Sequence, residues 1–149
     1  MTRSVTRVQV RSAVAADAER IAVLAGQLGY PSTAETVLRQ LPRIQAAPDQ
    51  AVFIAEAPDG LIVGWVQVHA HHFVANDPRA EVGGLVVDEN FRNFGVGRQL
   101  MEQAEQWARV KGYREVVLRS NVIRERAHKF YESLGYTVTK TQKHFCKNL

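Results

Sequence analysis

One stretch, residues 81–111, constrains the fold of this chain more than any other. Its first part, Val82–Val87, is apolar and rich in β-branched residues, which predicts a strand. From Leu100 to Lys111 the apolar residues recur with a period of 3.6, which predicts an amphipathic helix that ends before Gly112. The chain therefore contains a strand, a loop and a helix in direct succession.

The loop between this strand and this helix has the composition of an anion-binding site. Glycines at 95 and 97 let a ligand approach the backbone closely, and the first N–H groups of the following helix have no partners within it. The helix dipole contributes about 0.3–1 kcal/mol per favourable charge, and two arginines add cationic donors, which favours a phosphate or pyrophosphate ligand. The residues of the predicted pyrophosphate site are Arg92, Asn93, Phe94, Gly95, Val96, Gly97 and Arg98.

Two common phosphate-binding patterns do not fit this loop. The dinucleotide fingerprint requires a third glycine where Leu100 stands, and the Walker pattern requires Gly-Lys-Ser/Thr where the chain has Gly97, Arg98 and Gln99. The pattern Arg/Gln-x-x-Gly-x-Gly/Ala after an apolar strand does fit. In this stretch the chain resembles the acetyl-CoA-binding signature of the GNAT superfamily of N-acyltransferases.

A second segment, Arg126–Tyr136, is similar to the family's A-x-x-(F/L)-Y-x-x-x-G-(F/Y) motif. Two motifs in the family's order, separated by a predicted strand, are more specific than either alone. The resemblance implies an α/β chain with the GNAT acyltransferase fold, in which helices flank a mixed central sheet that splays near Leu85. It also implies direct transfer of an acetyl group from acetyl-CoA to a primary amine of a small molecule, protein or peptide.

Periodicity and turn residues predict elements in the order β, α, α, β, β, β, α, β, α, β, which is the order that the resemblance implies. The remaining predicted strands are an edge strand at Val5–Arg11, a hairpin of Ala51–Ala57 and Leu61–His72, Val116–Ser120, and a last strand within residues 136–147. The remaining predicted helices carry apolar residues over Ile21–Leu28, Val37–Ile44 and Arg124–Leu134.

Local signals position these elements. Asp17 is a predicted cap of the first helix, which should stop at Gly29. Pro31 and Ser32 should open the second helix, and Pro42 should kink it or end its first part. A strand–helix–strand unit of this length predicts that the strands beginning near Glu81 and Val116 are parallel neighbours. A length of 149 residues and the absence of a linker predict one domain over residues 1–149.

Two side chains are candidates for proton transfer. An amine with a pKa near 10.4 lies about 3.4 units above pH 7, so deprotonating it costs roughly 4.6 kcal/mol and a base is useful. Glu81 is the candidate base, with a solvated carboxylate at the strand end as the competing interpretation. The resemblance implies that Tyr131 lies beside the sulfur of CoA and donates a proton to the thiolate, with core packing as the alternative.

Further cofactor contacts follow from the resemblance. Backbone groups of Leu85, Val86 and Val87 are expected to pair with the pantetheine arm like an added strand. The family often has asparagine where this chain has Arg124, so Asn121 is a candidate replacement and Arg124 a candidate phosphate ligand. Asn93 stands where glycine is frequent and should tolerate left-handed geometry. Asp88 stands where proline is common in the family, which changes the turn without removing any donor.

The histidines and the cysteine suggest no metal site. His69 and His71 share one face of a strand but lack an apparent third ligand, so they are candidates for lining the acceptor pocket or for ordinary surface residues. His128 lies one turn before Tyr131 and is a candidate to orient it or to contact the cofactor, with a partly exposed helix residue as the alternative. Cys146 is the only cysteine and has no evident base nearby, which argues against nucleophilic catalysis.

Composition and charge predict the cellular compartment and the classes of binding partner. Apolar residues make up 46% of the chain and charged residues 23%, which is ordinary for a globular protein. The absence of a long apolar run or signal sequence predicts a cytoplasmic protein without a membrane partner. The net charge of +4 comes from basic residues scattered among acids, so nucleic acid is not a predicted partner. Binding of a phosphate-rich cofactor accounts for the same positive charge.

Two alternatives to an enzyme stay open on the sequence alone. A CoA-binding sensor or interaction protein would keep the loop without acceptor chemistry, and a nucleotide-binding module would only imitate it. The acceptor amine is not specified by these motifs, because a fold does not determine a substrate. A homodimer is a further expectation, with the His69 strand and the C-terminal strand as candidate interfaces.

Overall fold

The computed structural model describes residues 7–149, and its regular core is one five-stranded mixed sheet. The strands lie in the order β1-β2-β3-β4-β5, antiparallel except for the last pair, which is parallel. The strands are β1 (Gln9–Ser12), β2 (Gln50–Glu56), β3 (Ile62–His71), β4 (Arg79–Val87) and β5 (Val116–Leu118). The helices are α1 (Ala18–Leu28), α2 (Ala34–Ala46), α3 (Val96–Lys111) and α4 (Glu125–Ser133).

Adjacent residues of β3 show how the two faces of the sheet are covered. The Trp65 indole donates a hydrogen bond to the Ile21 carbonyl of α1 at 3.1 Å. A Cβ built on Gly64 would come within 2.9 Å of Leu100 in α3. Because neighbouring residues of a strand point to opposite faces, α1 packs on one face and α3 on the other.

The helices end largely where the sequence predicts. α1 stops at Gly29 and α3 at Gly112, both in left-handed conformation with φ of 101° and 88°. Asp17 does not cap α1, because its carboxylate accepts the Val14 N–H of the preceding 3-10 turn and pairs with Arg11. The first helix therefore has no side-chain cap.

The second helix begins later and runs further than Pro31, Ser32 and Pro42 suggest. Thr33 is its N-cap, and the hydroxyl accepts the Thr36 N–H at 3.1 Å. The helix continues through Pro42 to Ala46, so the missing proline N–H removes one hydrogen bond without ending the helix.

The predicted hairpin and edge strand are present. β2 and β3 pair antiparallel around a turn in which Gly60 has φ of 89°. β1 pairs only with β2 and is an edge strand, although it starts at Gln9 and Val5 lies outside the described residues. The hairpin and edge-strand predictions are confirmed for the residues that the structure covers.

The strand–helix–strand unit is also confirmed, with longer elements than predicted. β4 begins at Arg79, so Glu81 lies inside the strand, and α3 begins at Val96 rather than near Leu100. β5 runs parallel to β4 with Glu81 paired to Val117. The anion loop is therefore shorter than the sequence pattern suggests, since its last residues already belong to α3.

The chain divides into two compact units, Met1–Leu118 and Arg119–Leu149. The second contains α4, whose C-cap residue is Leu134, so the helix stops before Gly135 as predicted. The predicted final strand within residues 136–147 is wrong, because no residue of that described segment lies in a strand. Its apolar residues Val138 and Phe145 are 74% and 87% exposed, so the segment has no buried face to hold it in a sheet.

Candidate active site

The loop before α3 forms an open helix N-terminus. Gly95 is the N-cap residue with φ of 84°, and Asn93 has φ of 68°, which confirms that asparagine accepts left-handed geometry here. The backbone and side-chain N–H groups of Gln99 both donate to the Gly95 carbonyl, at 3.1 and 3.3 Å. The N-cap residue, a glycine, has no side chain to cap the helix, so the N–H groups of the first turn are directed at the space before it.

Two cations accompany this helix end. Arg92 is half-buried and Arg98 is exposed. Among residues 7–149 neither forms an ion pair with an acid. Their charges therefore add to the helix dipole and are not neutralised by a protein carboxylate, which suits a pyrophosphate.

The strand that leads into the loop has an edge that no described strand covers. β5 pairs with β4 only from Ala80 to Val82. Beyond that point β4 continues to Val87, paired with β3 on its other edge alone in the part of the chain that the structure describes. Leu85, Val86 and Val87 thus have backbone groups on the edge side that can pair with an extended amide chain. The short β4–β5 pairing agrees with a sheet that splays near Leu85.

This donor set fits CoA. A helix N-terminus with two unneutralised arginines matches a pyrophosphate, and the free strand edge directly before it matches the amides of a pantetheine arm. Both features belong to one continuous segment, so the strand and the loop deliver them in sequence. These contacts would use mainly backbone groups of residues 85–98.

Glu81 is a buried carboxylate, not a solvated strand end. Its residue is 6% exposed, and it lies directly opposite His69 across the β3–β4 pair. One carboxylate oxygen, Oε2, lies 3.4 Å from His69 Nε2 and 3.4 Å from His71 Nδ1. The two histidines therefore face Glu81, which alternation along β3 alone could not show.

Aromatic and cationic groups border these histidines. The His71 and Phe73 rings are stacked with centroids 4.3 Å apart, and the Arg79 guanidinium lies 5.0 Å from the Phe73 ring centre. Within residues 7–149 no group of three or more His, Cys, Asp or Glu residues is arranged to hold a metal ion. A carboxylate beside two imidazoles can accept a proton and can attract a cation.

In the second unit Tyr131 is partly buried among aromatic rings. Its ring makes edge contacts with Phe130 and Tyr136, at centroid distances of 5.2 and 6.2 Å. Burial raises the pKa of Tyr131, and the nearby charge of Arg124 only partly opposes that shift. The phenol therefore stays protonated at neutral pH and can donate its proton.

Asn121 and His128 stabilise the start of α4. The Asn121 side-chain oxygen accepts the Ile123 N–H at 3.2 Å, and its carbonyl accepts the Arg124 N–H at 3.0 Å. The His128 Nε2 lies 2.8 Å from the same carbonyl. His128 thus contacts Asn121 rather than orienting Tyr131, while the described contacts leave the predicted cofactor roles of Asn121 and Arg124 untested.

The predicted site residues fall into two groups. Glu81, residues 85–87 and the loop Arg92–Arg98 belong to the first unit, and Asn121, Arg124 and Tyr131 belong to the second. Cys146 is exposed in the C-terminal segment of the second unit. The sequence missed the pairing of the two histidines with Glu81, because a bulge in β4 at Gly83 sets that register.

A comparison with the sequence model of a protein family shows which family this chain belongs to. The model for the acetyltransferase (GNAT) family matches residues 18–136, which is most of the chain. The chain belongs to the GNAT family. Its fold is the GNAT acyltransferase fold, which confirms the fold class predicted from the two motifs.

Similar proteins within the family are acetyltransferases. The chain is 32% identical to an aminoglycoside N(6')-acetyltransferase type 1 of Stenotrophomonas maltophilia, covering 91% of this chain and 90% of that enzyme. It is 30% identical to human N-acetylaspartate synthetase over 74% of this chain but only 35% of that protein, and so spans about a third of its length. A structure of AAC(6')-Iy with the bisubstrate analogue CoA-S-monomethyl-acetylneamine has a TM-score of 0.84 at 25% identity, covering 97% of this chain and 100% of that one.

This GNAT protein is therefore an acyltransferase enzyme that uses acetyl-CoA and acetylates an amine. The prediction of an enzyme with acetyl-CoA as cosubstrate is confirmed. No helix within residues 7–149 is both long and apolar enough to cross a bilayer.

Proposed function

We propose that the acceptor is a primary amine of a small polycationic molecule of the aminoglycoside class. The similarity to an aminoglycoside N(6')-acetyltransferase across nearly the full length of both chains carries this proposal. The buried Glu81 carboxylate supports it, because an anionic group inside the sheet suits a cationic amine better than a neutral or acidic one.

The proposed residue roles follow from the two groups of side chains. The backbone of Leu85–Val87 and the loop Arg92–Arg98 hold the cosubstrate, with Asn121 and Arg124 as further ligands. Acetyl-CoA supplies an activated thioester acyl group. Glu81 accepts the proton of the attacking amine directly or through water, and Tyr131 donates its phenolic proton to the departing sulfur.

A panel of amines tests the acceptor class. CoA release is measured with aminoglycosides, linear polyamines and lysine-containing peptides, and mass spectrometry identifies the acetylated product. We expect kcat/KM for at least one aminoglycoside to exceed that for every peptide by about 100-fold, or about 2.7 kcal/mol of transition-state binding. Efficient acetylation of peptides alone would contradict the proposal.

The compartment and the oligomeric state are separate proposals. We propose a cytoplasmic enzyme and a homodimer, as the sequence predicts. Both edges of the His69 strand are paired, with β2 and β4, so its contribution to the interface would come from side chains alone. Residues 136–147 form no strand, so the predicted C-terminal strand is not part of the proposed interface. Light scattering at several protein concentrations measures the mass, and a value of one chain, 16.7 kDa, would exclude the homodimer.

A further inference from the structure

The turn that joins β4 to the anion loop is held by an ion pair from the first helix. Asp88 follows β4 and is only 6% exposed. Arg20 of α1 donates from Nη2 to the Asp88 Oδ2 at 2.9 Å. The same guanidinium donates through Nε and Nη2 to the Ile62 carbonyl, at 3.1 and 2.9 Å. A single side chain thus ties α1, β3 and the turn together.

Backbone hydrogen bonds complete this anchor. The Asp88 Oδ1 accepts the Asn90 N–H at 3.0 Å, and the Asp88 N–H donates to the Val63 carbonyl at 2.8 Å. The Glu89 N–H donates to the Gln27 side-chain oxygen of α1 at 2.9 Å. The turn is therefore fixed by partners from α1 and β3 as well as by its own carboxylate.

The charge state of Asp88 makes this anchor strong at neutral pH. Burial alone would raise the pKa of Asp88, but hydrogen bonds from the Asn90 N–H and from Arg20 outweigh it and hold that pKa below its ordinary value. The carboxylate is thus ionised wherever acetyl transfer to an amine is feasible. A charged and nearly buried hydrogen bond is stronger than a neutral one.

The Arg20–Asp88 ion pair holds the residue just before the 3-10 turn that leads into the loop. The 3-10 turn Glu89–Phe91 ends immediately before Arg92. The other end of the loop is fixed by Val96, which is 1% exposed at the start of α3. Two left-handed residues lie between these ends, so the path of the loop depends on where its ends are held.

We propose that Arg20, Asp88 and Gln27 are positioning residues for acetyl-CoA binding, which act by fixing the start of the loop Arg92–Arg98. They act through the loop backbone without touching the cosubstrate. The inference rests on the proposed role of that loop in binding the pyrophosphate. It adds to the site three residues of which two, Arg20 and Gln27, lie far from it in sequence.

A second ion pair in the same unit is a matched control. Arg11 Nη1 lies 2.9 Å from Asp17 Oδ2, with side-chain exposures of 30% and 5%, against 29% and 8% for Arg20 and Asp88. Arg11 belongs to the edge strand β1, which two other strands separate from β4. Asp17→Asn therefore removes a comparable interaction without touching the loop, whereas Arg11→Gln also removes the 3.2 Å pair of Arg11 with Glu56.

Calorimetric titration with CoA compares Asp88→Asn and Arg20→Gln with the controls Asp17→Asn and Arg11→Gln. We expect each of these substitutions to lower the melting temperature by about 2–4 °C. The Kd for CoA should rise about tenfold in the first set, because a displaced loop misaligns its donors, and stay within twofold in the second. In kinetics the KM for acetyl-CoA should rise while kcat at saturation changes less than threefold.

Hydrogen exchange without ligand gives an independent measure of loop position. Amides of residues 90–98 should exchange faster in Asp88→Asn and Arg20→Gln but not in the two controls. Equal Kd values in all four variants, or equal losses in both sets, would overturn the inference. If Gly97→Trp binds CoA as tightly as the wild-type protein does, the assignment of the loop to the pyrophosphate fails. If only the loop exchange of Asp88→Asn is unchanged, the positioning role alone is overturned.

Discussion

The anion loop and Glu81 lie on the same strand–loop–helix segment, but the loop and the cluster that Glu81 forms with His69 and His71 are built differently. The loop Arg92–Arg98 depends on backbone groups and on left-handed residues such as Gly95. The cluster depends on side chains from two strands, with Glu81 facing His69 and His71 at 3.4 Å. The loop is therefore encoded by consecutive residues, whereas the cluster is encoded by the pairing of strands.

This difference predicts which substitutions the loop and the cluster each tolerate. A backbone site is sensitive to added side-chain volume and to forbidden dihedral angles, while most side-chain changes outside the glycines leave its donors in place. A side-chain cluster responds to the loss of a single functional group. Changes in the loop should act on cosubstrate binding and changes in the cluster on turnover.

The largest expected effect tests the backbone site. Gly97→Trp places a large side chain in the first turn of α3 and should raise the Kd for acetyl-CoA at least 100-fold, about 2.7 kcal/mol. Gly26→Trp is the matched control, since Gly26 is an exposed helical glycine with nothing within 4 Å of an added Cβ. Calorimetry on both variants measures the difference. Equal affinity in the two would remove the loop from cosubstrate binding.

Tyr131→Phe should lower kcat by about 100-fold while the Kd for CoA stays within twofold. The phenol is the proposed proton donor, and general acids contribute about 100-fold or more to rate. Tyr113→Phe, which alters a tyrosine packed on Trp107, is the control and should keep full activity. Steady-state kinetics and calorimetry give the two quantities. Unchanged turnover in Tyr131→Phe would leave this tyrosine only its packing role.

Glu81→Gln tests the side-chain cluster directly. The change keeps the shape but removes the charge and the proton acceptor, so kcat/KM for the amine should fall about tenfold, or 1.4 kcal/mol. The Kd for CoA should not change. Glu105→Gln, on the partly exposed i,i+4 pair with Arg109, is the control because such pairs contribute little. A fall in CoA affinity without a fall in turnover would reverse the proposed division between the two regions.

Strong acid should weaken the ion pair between Asp88 and Arg20. Hydrogen bonds from the Asn90 N–H and from Arg20 hold the pKa of Asp88 below its ordinary value despite burial. Its contribution, on the order of 1 kcal/mol, is therefore complete above about pH 4 and is lost as the pH falls through the folded-state pKa. Melting curves from pH 6 to pH 2.5 measure this loss, which should be smaller in Asp88→Asn. The same slope in both proteins would contradict it.

The smallest expected effect is that of Asn93→Gly. Asn93 already has φ of 68°, a conformation that glycine adopts freely, so the loop path should not change. The Kd for acetyl-CoA should stay within twofold in calorimetry, and Asn93→Val should weaken it because a β-branched residue opposes that angle. A large loss in Asn93→Gly would mean that the asparagine side chain itself binds the cosubstrate.

Elements with local signals were predictable from the sequence. Gly29 and Gly112 end α1 and α3, and the hairpin turn lies at Gly60, because a left-handed angle selects glycine at each position. The final strand was not predictable from periodicity. A strand needs a partner and a buried face, and Val138 is 74% exposed.

The candidate site also contains features that the sequence predicts and features that it does not. The loop Arg92–Arg98 could be found from glycine spacing, since its ligands are consecutive. The burial of Glu81 depends on the β4 bulge, which sets the residue opposite His69. The Arg20–Asp88 pair joins residues 68 apart in sequence, and no local pattern indicates such a contact.

Hydrogen exchange of the wild-type protein with and without CoA tests the central claim most directly. If the strand edge and the helix N-terminus hold the cosubstrate, the backbone amides of Leu85–Val87 and Val96–Arg98 should exchange more slowly with CoA. ATP at the same concentration should not slow the amides of the strand edge. Protection confined to other parts of the chain, or no protection at saturating CoA, would contradict the account.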